Sequence, residues 1–209
     1  MADYSKPDYW QLKARKEGYP ARSVYKLDEM SEKFGFLKNL RPGAQGGGLR
    51  VLDLGAAPGS WSLYVLRKIK TSGLLVSADL SPLSREFDKG LFSQGNFRFI
   101  QGDITDQAVM GEIVSQGPYT LLLSDAAPAT TGNRTIDTAR SQELAEAVLA
   151  YAETALEKGG SMALKVFQGG DTSALLRKIK ELFATGKSYK PEACRSESFE
   201  MYCIGIGKK

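Results

Sequence analysis

The chain has 209 residues, 42% of them hydrophobic and 25% charged, with a net charge of +4 and no histidine. This length suits one well-cored domain and is short for two, and no apolar run is long enough to cross a bilayer. Without histidine, the commonest general base and metal ligand is excluded, so acid–base chemistry falls to Lys, Asp, Glu, Tyr or Cys.

The N-terminus lacks the apolar stretch of a signal peptide, and a cytoplasmic protein is expected. Residues 1–45 read as a basic segment. Lys13, Arg15, Lys16 and Arg22 alternate with Tyr9, Trp10 and Tyr19. Cations among aromatics suit a nucleic-acid backbone and its bases, but the aromatics could equally anchor the segment to the rest of the chain. From Ser23 to Phe34 the spacing of Val24, Leu27, Met30 and Phe34 predicts a helix. The run from Pro42 to Gly48 holds four glycines and reads as a flexible joint.

Beyond the joint, residues 49–209 alternate between strand and helix patterns. Strands are predicted at Leu49–Leu54, Gly73–Ala78, Phe97–Gln101, Tyr119–Ser124, Ser161–Phe167 and Met201–Ile206. Helices are predicted at Ser60–Ile69, Thr138–Glu157 and Thr172–Leu182, and Arg134 falls in a polar loop, Thr130–Thr135, that could close over a substrate. The pattern implies an α/β domain with a mostly parallel sheet covered on both faces. Asp53, Asp79, Asp103 and Asp125 all fall at C-terminal strand ends, the edge where open α/β sheets bind ligands.

Charge is unevenly placed. Residues 1–50 carry ten Lys/Arg against six Asp/Glu, residues 51–176 ten against fourteen, and residues 177–209 eight against four. If the two basic ends meet, they form one face suited to a polyanion; otherwise they only keep the chain soluble. Cys194 and Cys203 have no metal-ligand or disulfide-framework spacing, and no metal is expected.

The turn after the first strand reads Asp53-Leu-Gly55-Ala-Ala-Pro58-Gly59-Ser-Trp61. Its small residues let a ligand approach the backbone. It lacks both the full G-x-G-x-x-G fingerprint and the phosphate cradle G-x-x-x-x-G-K-[ST]. Asp79 is placed to accept bonds from two ribose hydroxyls of an adenosyl group, and Gly102-Asp103 could meet the adenine. Trp61 reads equally as core or as a cofactor contact.

This segment resembles the cofactor motif of the FtsJ family of RNA ribose 2′-O-methyltransferases. Ala21-Arg-Ser-Val-Tyr-Lys-Leu27, Leu123-Ser-Asp-Ala-Ala-Pro128, Leu164-Lys-Val-Phe-Gln-Gly169 and Ser198-Phe-Glu-Met-Tyr202 resemble further motifs of that family in the same order. Ser60 stands where the family usually has glycine, and Ala129 where asparagine is usual. The resemblance implies S-adenosylmethionine as cofactor and a Rossmann-like sheet of seven strands, the last antiparallel, in a single domain spanning residues 1–209. It implies a catalytic tetrad of Lys26, Asp125, Lys165 and Glu200. Cofactor binding would fall to Asp53, Gly55, Ala56, Pro58, Gly59, Trp61, Asp79, Asp103 and Asp125. RNA would meet Lys13, Arg15, Lys16, Arg22, Arg134 and Arg195. The expected substrate is a uridine of large-subunit (23S-type) ribosomal RNA, bound by a monomer, within the ribosomal subunit or as free RNA.

The chemistry fits these residue types. A sulfonium methyl is already activated, so the enzyme's task is to align a weakly acidic ribose hydroxyl and take its proton. Lys165 is the expected base, because a lysine inside the apolar run Met162–Phe167 is unusual unless functional. Asp125 is expected to orient it, with Lys26 and Glu200 aligning the ribose. Base C5-methylation needs a cysteine near the cofactor, and amino-group methylation an Asn/Asp-Pro-Pro-aromatic tetrapeptide; neither motif is present. The remaining alternatives are a tRNA anticodon-loop methyltransferase, an RNA-binding assembly factor without catalysis, and a hydride-transferring oxidoreductase.

Overall fold

The computed structural model describes residues 7–38, 48–169, 172–195 and 197–209. The joint expected at 42–48 lies outside these residues except for Gly48. Among the described residues, seven strands form one sheet: β1 (Leu49–Leu54), β2 (Gly73–Asp79), β3 (Phe97–Gln101), β4 (Tyr119–Ser124), β5 (Leu156–Phe167), β6 (Phe183–Tyr189) and β7 (Glu200–Lys208). Their order is β3-β2-β1-β4-β5-β7-β6. β1 to β5 pair in parallel, and β7 lies antiparallel between β5 and β6. The expected Rossmann-like sheet with an antiparallel last strand is therefore present.

Six helices cover the sheet: α1 (Tyr9–Lys16), α2 (Val24–Phe34), α3 (Ser60–Ile69), α4 (Gln107–Ser115), α5 (Arg134–Ala155) and α6 (Thr172–Leu182). Strand side chains alternate between faces, and the core divides accordingly. Val51, Leu75, Leu121, Leu123, Ala163, Tyr202 and Ile204 pack with residues of α1, α2 and α3. Leu52, Leu54, Val76, Leu122, Met162, Leu164, Val166 and Cys203 pack with residues of α4, α5 and α6. This parity fixes the site. Asp53, Asp125 and Lys165 each lie two positions beyond an α3-side core residue, so their side chains share that face.

Three elements have little sequence signal. α1 is mostly polar, with Ala14 as its one buried residue. α4 likewise buries only Ile113 and is started by Asp106, whose carboxylate accepts from Ala108 N and Val109 N at 2.8 and 3.1 Å. β6 is an edge strand with only Phe183 buried, so it shows no clear alternation. The long helix also begins earlier than expected. Arg134 is its first residue rather than part of a loop. Asn133 Oδ1 accepts from Thr135 N at 3.0 Å and Ile136 N at 3.3 Å, while the buried Asp137 accepts from Thr131 N at 2.7 Å and Gly132 N at 3.2 Å. The helix ends at Ala155, not Glu157, because Leu156 joins the sheet opposite Tyr119. No described helix is long and apolar enough to cross a membrane.

The cap makes a measurable claim. Asn133→Ala should lower the unfolding free energy by about 1 kcal/mol, the usual worth of an N-cap side chain, in urea titrations with an unchanged m-value.

Candidate active site

The C-terminal edges of β1, β2, β3 and β4 enclose a cleft of about 300 Å³ lined by Gly55, Ala57, Asp79, Leu80, Gly102, Asp103, Ile104, Asp125, Ala126, Ala127 and Leu144. Gly55 has φ +75°, and a Cβ there would sit 2.5 Å from the Ala126 Cα. Only glycine lets the first turn pass this close to the loop after β4. Ala57, at the place of a second glycine, donates its N–H to Asp79 Oδ2 at 2.9 Å, and Ser81 N donates to Asp79 Oδ1 at 2.8 Å. Asp79 is thus held rigidly at the cleft wall with acceptor capacity to spare. Asp103 accepts from Thr105 N and Oγ1 at 2.8 and 2.7 Å, and these bonds hold its carboxyl below the usual carboxylate range.

A second cleft of about 560 Å³ adjoins the first at Ala127. Arg22, Lys26, Thr130, Lys165, Phe167, Arg195, Glu197, Ser198, Phe199 and Glu200 complete its lining. Here the four tetrad residues meet as two ion pairs. Lys165 Nζ lies 3.0 Å from Asp125 Oδ1 and donates to the Asp125 backbone carbonyl at 2.5 Å. Lys26 Nζ lies 2.7 Å from Glu200 Oε1. Tyr202, fully buried, donates its hydroxyl to Asp125 Oδ1 at 2.6 Å. The β5–β7 register explains the grouping, since Lys165 pairs with Tyr202 and Phe167 with Glu200, all four on the α3 side of the sheet.

Burial opposes the charge on Asp125, but the ammonium groups of Lys165 and Lys26 and the Tyr202 hydroxyl outweigh it and hold the carboxyl below its ordinary range. Burial likewise opposes the charge on Lys26, and the Asp125 and Glu200 carboxylates outweigh it, so Lys26 stays an ammonium above the ordinary lysine range. Burial and the Asp125 carboxylate keep Tyr202 a neutral phenol.

Lys26 reaches this site because its segment is pinned to the cofactor turn. Ser60 accepts from Ala21 N at 2.8 Å and donates to Ala21 O at 3.1 Å. Trp61 Nε1 donates to Ser23 O at 2.8 Å, and Tyr64 donates to Asp28 at 2.5 Å. From the other side, Glu29 accepts from Glu192 N at 2.9 Å and from the Tyr189 hydroxyl. Arg22 donates to Ala193 O at 2.5 Å and pairs with Asp8, which also lies 3.7 Å from Arg195 Nε. The two basic ends of the chain therefore do meet, and both contribute to the second cleft.

Several expected site residues sit elsewhere. Gly55, Asp79, Asp103 and Asp125 line the first cleft, while Asp53, Ala56, Pro58, Gly59 and Trp61 do not. Asp53 is fully buried behind the turn, where Ser62 donates to its Oδ2 at 2.7 Å and Oδ1 has no partner. Burial pushes its carboxyl up to about 7. Trp61 is 2% exposed, its ring centroid 5.9 Å from that of Tyr202. It is a core residue joining the N-terminal segment to the sheet. Gly59 has φ +109°, and a Cβ there would meet the Phe92 ring at 2.9 Å, so its need for glycine is steric.

Of the cations expected at RNA, Arg22 and Arg195 line the second cleft; Lys13, Arg15 and Lys16 lie on α1 outside it. Lys13 sits over the Tyr25 ring at 4.5 Å, and Trp10 packs on Tyr25. Arg67 sits over Tyr19 at 4.2 Å. Trp10 and Tyr19 pack against the hydrophobic core, as an anchoring role requires. Tyr202, Phe167 and Phe199 were not singled out by the sequence as site residues. Tyr202 could have been found by period two from Glu200, and Phe167 by period two from Lys165. Among the described residues, no group of three or more His, Cys, Asp or Glu could hold a metal ion.

Comparison with known proteins agrees with this geometry. The family model for FtsJ-like methyltransferases matches residues 19–208. A protein of Treponema denticola named ribosomal RNA large subunit methyltransferase E is 48% identical, the match covering 99% of this chain and 97% of that protein. A protein of the same name from Oleidesulfovibrio alaskensis is 43% identical, over 97% of this chain and 92% of that one. The crystal structure of a ribosomal RNA methyltransferase from Plasmodium falciparum superimposes with a TM-score of 0.72 at 26% identity, covering 91% of this chain and 98% of that one.

Trp61→Phe separates the two roles of that residue. Losing the bond to Ser23 should destabilise the fold by about 1–2 kcal/mol and leave S-adenosylmethionine affinity within a factor of about three, as read by urea denaturation and calorimetry.

Proposed function

The chain belongs to the FtsJ-like methyltransferase family, and we propose that it transfers a methyl group from S-adenosylmethionine to a ribose 2′-hydroxyl of large-subunit ribosomal RNA. Methyl transfer follows from the family. The RNA substrate is supported by the names of the relatives and by the basic second cleft. The ribose hydroxyl is supported above all by one observation, the pairing of Lys165 with Oδ1 and the backbone carbonyl of Asp125. N-terminal segment and sheet would act as one catalytic domain, since Lys26 and Glu200 come from the two ends of the chain.

The first cleft fits the cofactor. Gly55 lets the turn after β1 pack against Ala126 and expose its backbone at the cleft wall, and Asp79 and Asp103 present acceptors for hydroxyl and amino groups. When bound there, the cofactor supplies a methyl group already activated on a sulfonium. The residues of this chain do the rest. Lys165 rests as the ammonium partner of Asp125 and must give up one proton to solvent before it can act; the free amine then has two hydrogens and one lone pair. Asp125 offers Lys165 two acceptors, Oδ1 at 3.0 Å and its carbonyl at 2.5 Å. Both hydrogens are thereby engaged, and the lone pair is left for the ribose hydroxyl in the cleft that Lys165 lines. As the new carbon–oxygen bond forms and the carbon–sulfur bond breaks, the hydroxyl proton passes to Nζ, and the resulting ammonium stays beside the Asp125 carboxylate. The charge lost by the sulfonium is gained by the lysine, so the site's net charge does not change.

Lys26 takes a different part. Its raised pKa keeps it protonated and unfit as a base. It is a fixed positive charge, paired with Glu200, that stabilises the oxygen as its negative charge develops and holds the ribose in line. The thiols are unsuited to the alternative of base C5-methylation. Burial pushes Cys194 and Cys203 up to about 12, so neither is a thiolate at neutral pH. Retention of the complete tetrad argues against a non-catalytic assembly factor.

The test is transfer of labelled methyl to total RNA and to purified ribosomal subunits, with nuclease digestion of the product. A 2′-O-methylnucleoside, expected as 2′-O-methyluridine, in large-subunit RNA is the predicted result. Label only in tRNA would replace the substrate, and label on a base would overturn the reaction. Lys165→Ala should lower kcat by about 10²–10⁴, the usual worth of a general base, while the cofactor Kd changes less than about threefold.

A further inference from the structure

We infer that Phe199, backed by Phe167 and flanked by Arg134, is a stacking platform for one nucleobase of the RNA next to the reacting ribose; this rests on the methylation reading above. Phe199 directly precedes Glu200 and lines the second cleft with Phe167, Lys26 and Lys165. Phe167 is 8% exposed and closes the core at the end of β5. Phe199 meets it edge-on, with ring centroids 4.7 Å apart and planes at 61°, and is itself half-buried. Its ring is therefore buttressed by Phe167 while part of its surface stays open to the cleft. Its backbone is tied as well, because Phe199 O accepts from Gln168 N at 2.6 Å.

Arg134 completes the arrangement. Its guanidinium carbon sits over the Phe199 ring, 5.5 Å from the centroid. The capped first turn of α5 and the Asp137 bonds fix the backbone from which it extends. A part-open phenyl ring under an exposed, loosely held guanidinium is a pairing that takes a nucleobase, the base stacking on the ring as the arginine shifts to bond its edge or a phosphate. Neither ring lines the cofactor cleft, so the cofactor's adenine is not the occupant. Phe199 lines the same cleft as Lys26 and Glu200, the ion pair assigned to the ribose. A base attached to that ribose or to its neighbour would reach it.

Base stacking on an aromatic is commonly worth about 1–3 kcal/mol per base, or about five- to 150-fold in affinity. Phe199→Leu keeps an apolar side chain on Phe167 but removes the flat face. It should raise the KM for RNA about tenfold, leave kcat within about threefold and leave the cofactor Kd unchanged. Phe199→Trp should retain RNA affinity, and its added emission, taken as the difference from the unsubstituted protein, should be quenched by RNA. Moving a single abasic site along the RNA should abolish that quenching at one nucleotide position only. An unchanged KM in Phe199→Leu, or RNA that binds without quenching the new tryptophan, would overturn the platform and leave the methylation reading intact. A weakened cofactor Kd in Phe199→Leu would also overturn it, by assigning the ring to the cofactor. If the unsubstituted protein methylates no RNA, the methylation reading falls and the platform with it.

Discussion

The Asp125 carboxylate is the constraint on which the site depends. It is 16% exposed, and a carboxylate so enclosed stays ionised only if nearby donors and cations replace its water. Tyr202 and Lys165 both reach Oδ1, and Lys26 acts on it electrostatically. Each comes from a different part of the chain: Lys165 from β5, Tyr202 from the antiparallel β7, and Lys26 from the helix before the first strand. The inserted last strand is what carries Tyr202 and Glu200 to the end of β5. Without it, the carboxylate would lose the Tyr202 hydroxyl, and Lys26 would lose Glu200.

The N-terminal segment is the other requirement. A lysine on α2 could be anywhere over the α3 face, and its 2.7 Å contact with Glu200 needs the helix to be fixed at both sides. Ser60, Trp61 and Tyr64 hold it from the cofactor turn, and Glu29 and Arg22 hold it from the loop before β7. The first turn of α3, which directly follows the turn at the first cleft, thus positions a member of the tetrad. This coupling accounts for Trp61, which lies in the cofactor motif yet does not line the cleft.

Most of the sheet was legible in the sequence because six of its strands end in acidic or polar residues at the ligand edge or carry clear apolar runs. Leu49–Leu54, Phe97–Gln101 and Tyr119–Ser124 have the expected bounds. What was not legible has a physical cause. β6 shows one buried residue to the core, and α4 one, so neither carries a pattern. Arg134 belongs to a helix because of Asn133 and Asp137, a cap that composition alone reads as a polar loop. For the site, motif order placed the tetrad, and the structure brings all four members together. Motif membership could not distinguish residues that line the cofactor cleft from residues that shape it, as Asp53, Gly59 and Trp61 show. That distinction depends on strand parity and on what a Cβ would strike.

The division of labour between the two lysines is the central claim: Lys165 accepts the proton, and Lys26 remains a cation. Rescue of the truncated enzymes by small primary amines, followed in single-turnover methyl transfer, tests it most directly. Added amine should restore part of the activity of Lys165→Ala, with the rescue growing as pH rises and the amine's free base accumulates. Lys26→Ala should be restored, if at all, by the protonated amine, so that any rescue falls as pH rises. The opposite pattern, free-base rescue of Lys26→Ala and none of Lys165→Ala, would contradict the assignment.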